Sequence, residues 1–175
     1  MSFHLNKFPL LVFFGPLLLA ACASGTSAPS AVAELQPTRG STTSGNVRFV
    51  QNAGMVRVTG DIRSLKPNSE HGFHVHETGD CSSGDGMSAG GHFNPDGKPH
   101  GNYTAATHHA GDIPSLKADA NGVARFSFDS STLSVGSGSN NITGKSLIVH
   151  RDPDDYLTQP TGNSGPRLAC AVIKG

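Results

Sequence analysis

The chain has 175 residues, enough for one domain around a single core, and its 13 basic and 13 acidic side chains cancel. Only 15% of residues are charged, which excludes a basic nucleic-acid surface and a strongly acidic partner face. Twenty-two glycines and no tryptophan favour short strands and turn-rich loops over helices, and nine histidines against two tyrosines point to metal binding.

In chain order, Lys7 supplies a positive charge, Phe8 to Ala20 form an apolar run, and Leu19-Ala20-Ala21-Cys22 closes it. The run falls short of the ~20 residues that a spanning helix needs, so 1–21 reads as a cleaved signal peptide. Its ending resembles a bacterial lipobox, which would make Cys22 the acylated N-terminus. An ordinary secretory signal is the alternative. Residues 22–38, rich in Ser, Ala, Thr, Pro and Gly, read as a flexible tether. The folded domain is then expected over 39–175. If Cys22 carries lipid, Cys81 and Cys170 remain as a pair. Their disulfide would close a loop of about 90 residues, worth on the order of 4–5 kcal/mol in the chain-entropy model. Export and a disulfide belong to the same oxidising setting.

Within the domain apolar residues alternate. Strands are predicted at Val47 to Val50, around Val56, Val58 and Ile62, at Gly72 to His76, Val123 to Phe128, Ser146 to His150 and Leu168 to Ile173. Asp119-Ala120-Asn121-Gly122 reads as the turn before one of them. No stretch keeps a helical apolar stripe, so the expectation is an antiparallel all-β domain, sandwich or barrel. Thr78 to Ala110 and Arg151 to Pro166 resist strand assignment. They hold or border nearly all the histidines, which argues that both loops are functional.

On a strand, His74 and His76 project to one face while Val75 turns to the other, so two imidazoles converge. Such a pair suits copper or zinc but is a weak signal alone. His92, His100, His109 and Asp112 fall in one glycine-rich loop. Three nitrogens and a carboxylate match a four-coordinate zinc site, with a solvated polar loop as the alternative. His150 ends an apolar strand, where a histidine is usually a core residue unless other ligands lie nearby.

The ordered segments Gly72-Phe73-His74-Val75-His76-Glu77, Gly91-His92-Phe93-Asn94-Pro95, His109-Ala110-Gly111-Asp112, Val149-His150 and Gly162-Asn163-Ser164-Gly165-Pro166-Arg167-Leu168-Ala169-Cys170 resemble the signatures of copper/zinc superoxide dismutases. The extended Cys81 to Met87 segment and the compact loop after His150 resemble the bacterial branch of that family. The resemblance implies an all-β Greek-key β-barrel or sandwich of about eight antiparallel strands with two long functional loops. It implies one copper per subunit held by His74, His76, His92 and His150, and one zinc held by His92, His100, His109 and Asp112, with His92 as a bridging imidazolate. The family's His-x-x-Asp step selects His109 over His108, which is expected at the surface or behind the ligands. His71 matches a structural histidine. Asp154 is expected to hydrogen-bond His74 and His100, and Arg167 to attract and orient superoxide, with His92 and Arg167 the catalytic residues.

The implied reaction is disproportionation of superoxide to dioxygen and hydrogen peroxide by Cu(II)/Cu(I) cycling, protecting the cell envelope from extracytoplasmic superoxide. A non-catalytic copper carrier on the same fold, or a zinc module with an empty copper site, are the rivals. No nucleic-acid partner is expected, membrane contact runs only through the N-terminal lipid, and the resemblance leaves monomer and homodimer open. The expected location is the periplasm or envelope. The loop 151–166 lacks lysine and carries Asp152, Asp154 and Asp155, so Lys98, in the loop that carries His92 and His100, is the candidate to take over steering.

Overall fold

The computed structural model describes residues 1–3 and 27–175; Cys22 and residues 4–21 of the expected leader lie outside the described residues. Among the described residues nine strands form in chain order: β1 (Ser30–Pro37), β2 (Ser44–Asn52), β3 (Met55–Arg63), β4 (Glu70–His71), β5 (Phe73–His76), β6 (Leu116–Lys117), β7 (Ala124–Ser130), β8 (Ser146–His150) and β9 (Arg167–Val172). A 3₁₀ turn, Met87–Ala89, interrupts the first long loop. Among the described residues no helix is long and apolar enough to cross a membrane.

Seven strands make one curled antiparallel sheet in the order β5-β8-β9-β1-β2-β3-β7, and β4 with β6 makes a small second one. The non-sequential neighbours β3–β7 and β9–β1 give the Greek-key crossovers of the expected all-β fold. β2 and β3 meet in full register from Ser44↔Arg63 to Asn52↔Met55. The two-residue turn between them works because Ala53 and Gly54 both take left-handed backbone angles, matching the strand twist.

Of the tether expected over 22–38, the part Ser30–Pro37 is instead strand β1. Its residues alternate, with Ala31, Ala33 and Leu35 in the core and Val32 and Glu34 outside. It pairs with β2 along Ser30 to Leu35 and with β9 at Gln36 and Pro37, so it joins the two halves of the sheet. The folded domain therefore starts near residue 30, ahead of the expected 39.

The core is built from alternate positions of the strands: Val47 and Phe49, Val56, Val58 and Ile62, Phe73 and Val75, Leu147 and Val149, Ala169 and Ala171. β5 and β8 are buried at every position. One face of each meets this core. The other is covered by the loops, so histidines at even positions end up enclosed.

Candidate metal centre

β5 carries His74 and His76 on the face opposite Phe73 and Val75, as their spacing predicts. The loop 78–115 is drawn across that face by backbone pairing. His76 forms a bridge with His92, and His74 with Asp112. Between them Val75 N donates to Gly111 O (3.0 Å) and Phe93 N to Val75 O (2.8 Å). Gly111 is needed there, because a Cβ would lie 2.3 Å from Val75 O. His150 closes the group from the end of β8, its amide donating to Gly72 O (2.8 Å).

Two buried clusters result: His74, His76, His92 and His150, and His92, His100, His109 and Asp112, each with its ligand atoms within 4.8 Å of one another. His92 belongs to both. The hydrogen bonds assign which nitrogens are free. A carbonyl oxygen only accepts, so His76 Nδ1 is protonated toward Gly90 O (3.0 Å) and His150 Nδ1 toward Gly165 O (3.2 Å). His74 Nε2 donates to Asp154 Oδ2 (2.7 Å). The lone pairs left over, on His74 Nδ1, His76 Nε2 and His150 Nε2, converge. His76 Nε2 and His150 Nε2 face each other at 3.4 Å, and His74 Nδ1 and His92 Nε2 are buried with no hydrogen-bond partner. Buried lone pairs aimed at one another cost free energy unless a cation lies among them. The donor set is all imidazole, which suits copper.

The second cluster obeys the same logic. Asp112 Oδ2 is occupied by the amides of His109 (2.9 Å) and Gly101 (3.1 Å). Its Oδ1 faces three Nδ1 atoms, those of His92 (2.9 Å), His100 (3.0 Å) and His109 (3.5 Å). His100 Nε2 donates to Asp154 Oδ1 (2.9 Å), which leaves its Nδ1 as the nitrogen turned to Asp112. Each nitrogen this close to a carboxylate oxygen needs positive charge between them, a proton or a metal ion, and the N₃O donor set suits tetrahedral zinc.

Protonation follows from these contacts. Burial lowers the pKa of His76 and His150 well below the usual imidazole value, helped by neighbouring histidines. Burial likewise takes His92 down to about 4, against the opposing hydrogen bond to Asp112. For His100 burial acts downward too, but hydrogen bonds to Asp112 and Asp154 outweigh it and lift the pKa to about 9. Burial works to raise Asp112, yet hydrogen bonds from His100, His109 and His92 hold it far below the usual carboxylate range. Neutral His76, His92 and His150 and the ionised Asp112 are already in the states that bind metal, whereas His100 has to give up a proton when metal binds.

Arg167 opens β9 and is half-buried. Its guanidinium donates to the carbonyls of Gly86 (2.5 Å) and Gly90 (2.6 Å), the latter shared with His76. Burial lowers its pKa, opposed by the Asp85 carboxylate. Its charge is felt by both His76 and His150. Cys81 and Cys170 form a disulfide, tying the loop that carries those carbonyls to β9.

The remaining histidines are placed otherwise. His71 is buried outside both clusters, with Nδ1 donating to the carbonyl of His150 (2.9 Å). His108 is buried, correcting any surface placement, and its Nδ1 donates to the carbonyl of His109 (2.7 Å). Lys98 Nζ pairs with Asp96 at 2.9 Å, so its charge is offset within its own turn. The carbonyls of Gly90 and Gly165 were beyond sequence reasoning, since a backbone acceptor has no side-chain signature. At Gly162 a Cβ would sit 1.8 Å from Asp154 Oδ1, so only glycine lets the loop close over Asp154.

A fold of this topology around paired four-ligand clusters sharing one imidazole defines a two-metal β-barrel protein. The profile of the copper/zinc superoxide dismutase family matches residues 43–173, and the chain belongs to that family. It is 44% identical over 135 residues to a copper/zinc superoxide dismutase of Paramecium bursaria Chlorella virus 1, covering 74% of this chain and 71% of that one. It is 44% identical to the Yarrowia lipolytica enzyme, with 74% and 88% covered, and 43% identical to one from Brassica juncea, with the same coverage. The crystal structure of the clock protein EA4 superposes with a TM-score of 0.77 at 39% identity, covering 85% of this chain and 96% of that one. Copper and zinc are the metals of this family.

Proposed function

We propose that this chain is an exported superoxide dismutase in which His74, His76, His92 and His150 hold copper and His92, His100, His109 and Asp112 hold zinc. The observation that carries it is the pair of buried clusters joined through His92, each with unsatisfied ligand atoms turned inward. When bound, copper supplies one-electron exchange with superoxide, giving dioxygen and hydrogen peroxide, and zinc supplies a fixed charge without redox chemistry.

The chain's own residues do the rest. Arg167 presents a cation, pinned by two carbonyls, beside His76 and His150, where it draws in and orients a small anion. His92 offers a nitrogen to each cluster, so a proton on its Nε2 is the one that product formation can draw on. Asp154 holds His74 and His100 in fixed tautomers from behind. His76 and His150 are oriented by the Gly90 and Gly165 carbonyls. Export with acylation at Cys22, and so a membrane-held envelope enzyme, is supported by the leader-like run and by a disulfide of the oxidising-compartment kind.

Superoxide consumption by the mature protein, with and without added copper, tests the function. Turnover that requires copper and disappears in His92→Ala is expected. Stoichiometric copper binding without turnover would favour a copper carrier instead. The mass of the mature N-terminus tests acylation: an unmodified residue other than Cys22 there rules it out.

A further inference from the structure

We propose that Gln159 is a positioning residue for His100, a latch that slows release of zinc and leaves the copper-side cluster alone. His100 lies in a stretch without regular structure, between Pro99 and Gly101, so its local sequence does little to orient it. The other members of its cluster are held by their own backbones. His92 and Asp112 bridge β5, and His109 donates its amide to Asp112. Among the described residues, the main chain of His100 is bonded only by one side chain. Its N–H donates to Gln159 Oε1 (2.8 Å), and its carbonyl accepts from Gln159 Nε2 (2.9 Å).

That reciprocal pair imitates a strand bridge, fixing the backbone on both sides of the His100 Cα and with it the direction of the imidazole. Asp154 also touches His100, but it equally holds His74, so it cannot distinguish the two clusters. Gln159 contacts His100 and, weakly, the carbonyl of Leu157 (3.4 Å). It is exposed, on the outer side of the loop, where opening toward solvent would begin.

The proposal rests on the zinc assignment made above, and its test reads metal release without reading activity. The copper- and zinc-loaded protein is mixed with a chromogenic chelator and the release of each metal is timed. Gln159→Ala is expected to release zinc about tenfold faster, the scale of losing a residue that orients a ligand, with copper release unchanged. Gln159→Glu keeps the acceptor for the amide and loses the donor for the carbonyl, so its zinc release should fall between. Zinc release from Gln159→Ala at the parent rate, or copper and zinc accelerating together, overturns the latch. A parent protein that takes up no zinc overturns the zinc assignment and the latch with it, and its metal content shows which has failed.

Discussion

At the scale of single residues, Asp154 shows how one carboxylate can serve two histidine clusters at once. Its two oxygens accept from His74 and His100 separately, and Oδ1 also accepts the Tyr156 amide (2.7 Å). Burial would push its pKa up, but the hydrogen bonds from His100 and His74 hold it well below the usual carboxylate range. Asn at this position would turn an amide donor toward one of two imidazole N–H groups, leaving a buried donor pair unsatisfied. Asp154→Asn is therefore expected to weaken zinc binding roughly 10–100-fold in chelator competition. Arg167 poses a different problem, of charge held in a fixed direction. Lysine keeps the charge but has no planar fork to span the Gly86 and Gly90 carbonyls. Arg167→Lys should lower kcat/KM for superoxide while keeping its dependence on salt, and Arg167→Ala should lower kcat/KM further and flatten that dependence. Steady-state rates across ionic strengths distinguish the two outcomes.

Among the elements, β1 changes the account most. A tether would contribute no stability, whereas a strand with Leu35 only 1% exposed sits inside the core. Leu35→Ala is expected to destabilise the fold by about 2–5 kcal/mol, read from the denaturant midpoint. No change would return the segment to a tether. The same strand leads into the active-site region. At its end Thr38 Oγ1 donates to the carbonyl of Arg167 (2.6 Å), and Arg39 N donates to Gly84 O (2.6 Å). β1, β9 and the disulfide loop thus meet where Arg167 is held. The loop 151–166 has no strand or helix, and its order comes from side chains reaching inward, Asp154 above all.

For the molecule as a whole, one sheet carries two kinds of interior. One face is apolar, and at β5 and β8 the other carries an enclosed set of imidazoles with unsatisfied polar atoms. Stability of the metal-free form should therefore depend on pH from both sides. His74, His76, His92 and His150 have lowered pKa values, for which burial is the largest cause. They contribute stability that is present above the unfolded value of about 6.5 and is lost as pH falls, for His92 through about 4. His100, raised to about 9, acts oppositely: its contribution is full below that unfolded value and lost as pH rises through about 9. Melting of the metal-free protein is thus expected to peak near neutrality and fall on both sides. A melting temperature flat from acid to alkaline pH would contradict this, and bound metal should suppress the dependence by occupying the same nitrogens.

Much of this was legible along the chain. The His74–His76 spacing dictates a shared face, because strand side chains alternate whatever the tertiary context. The order of the remaining ligands, read through the family resemblance, named the two clusters that the fold assembles. Alternating Val, Phe and Ile marked most core strands. β1 escaped because its inward positions Ala31 and Ala33 are small and poor strand formers, while Val32 points outward. Its strand character comes from β2 and β9 on either side. Tertiary structure alone decided that His108 is buried, that Lys98 is offset by Asp96, and that backbone carbonyls orient His76, His150 and Arg167. Residue identity determined which atoms could bind a metal. Which of those atoms face inward was settled by hydrogen bonds from residues far along the chain, because each imidazole has two nitrogens and only its partner determines which one is left free.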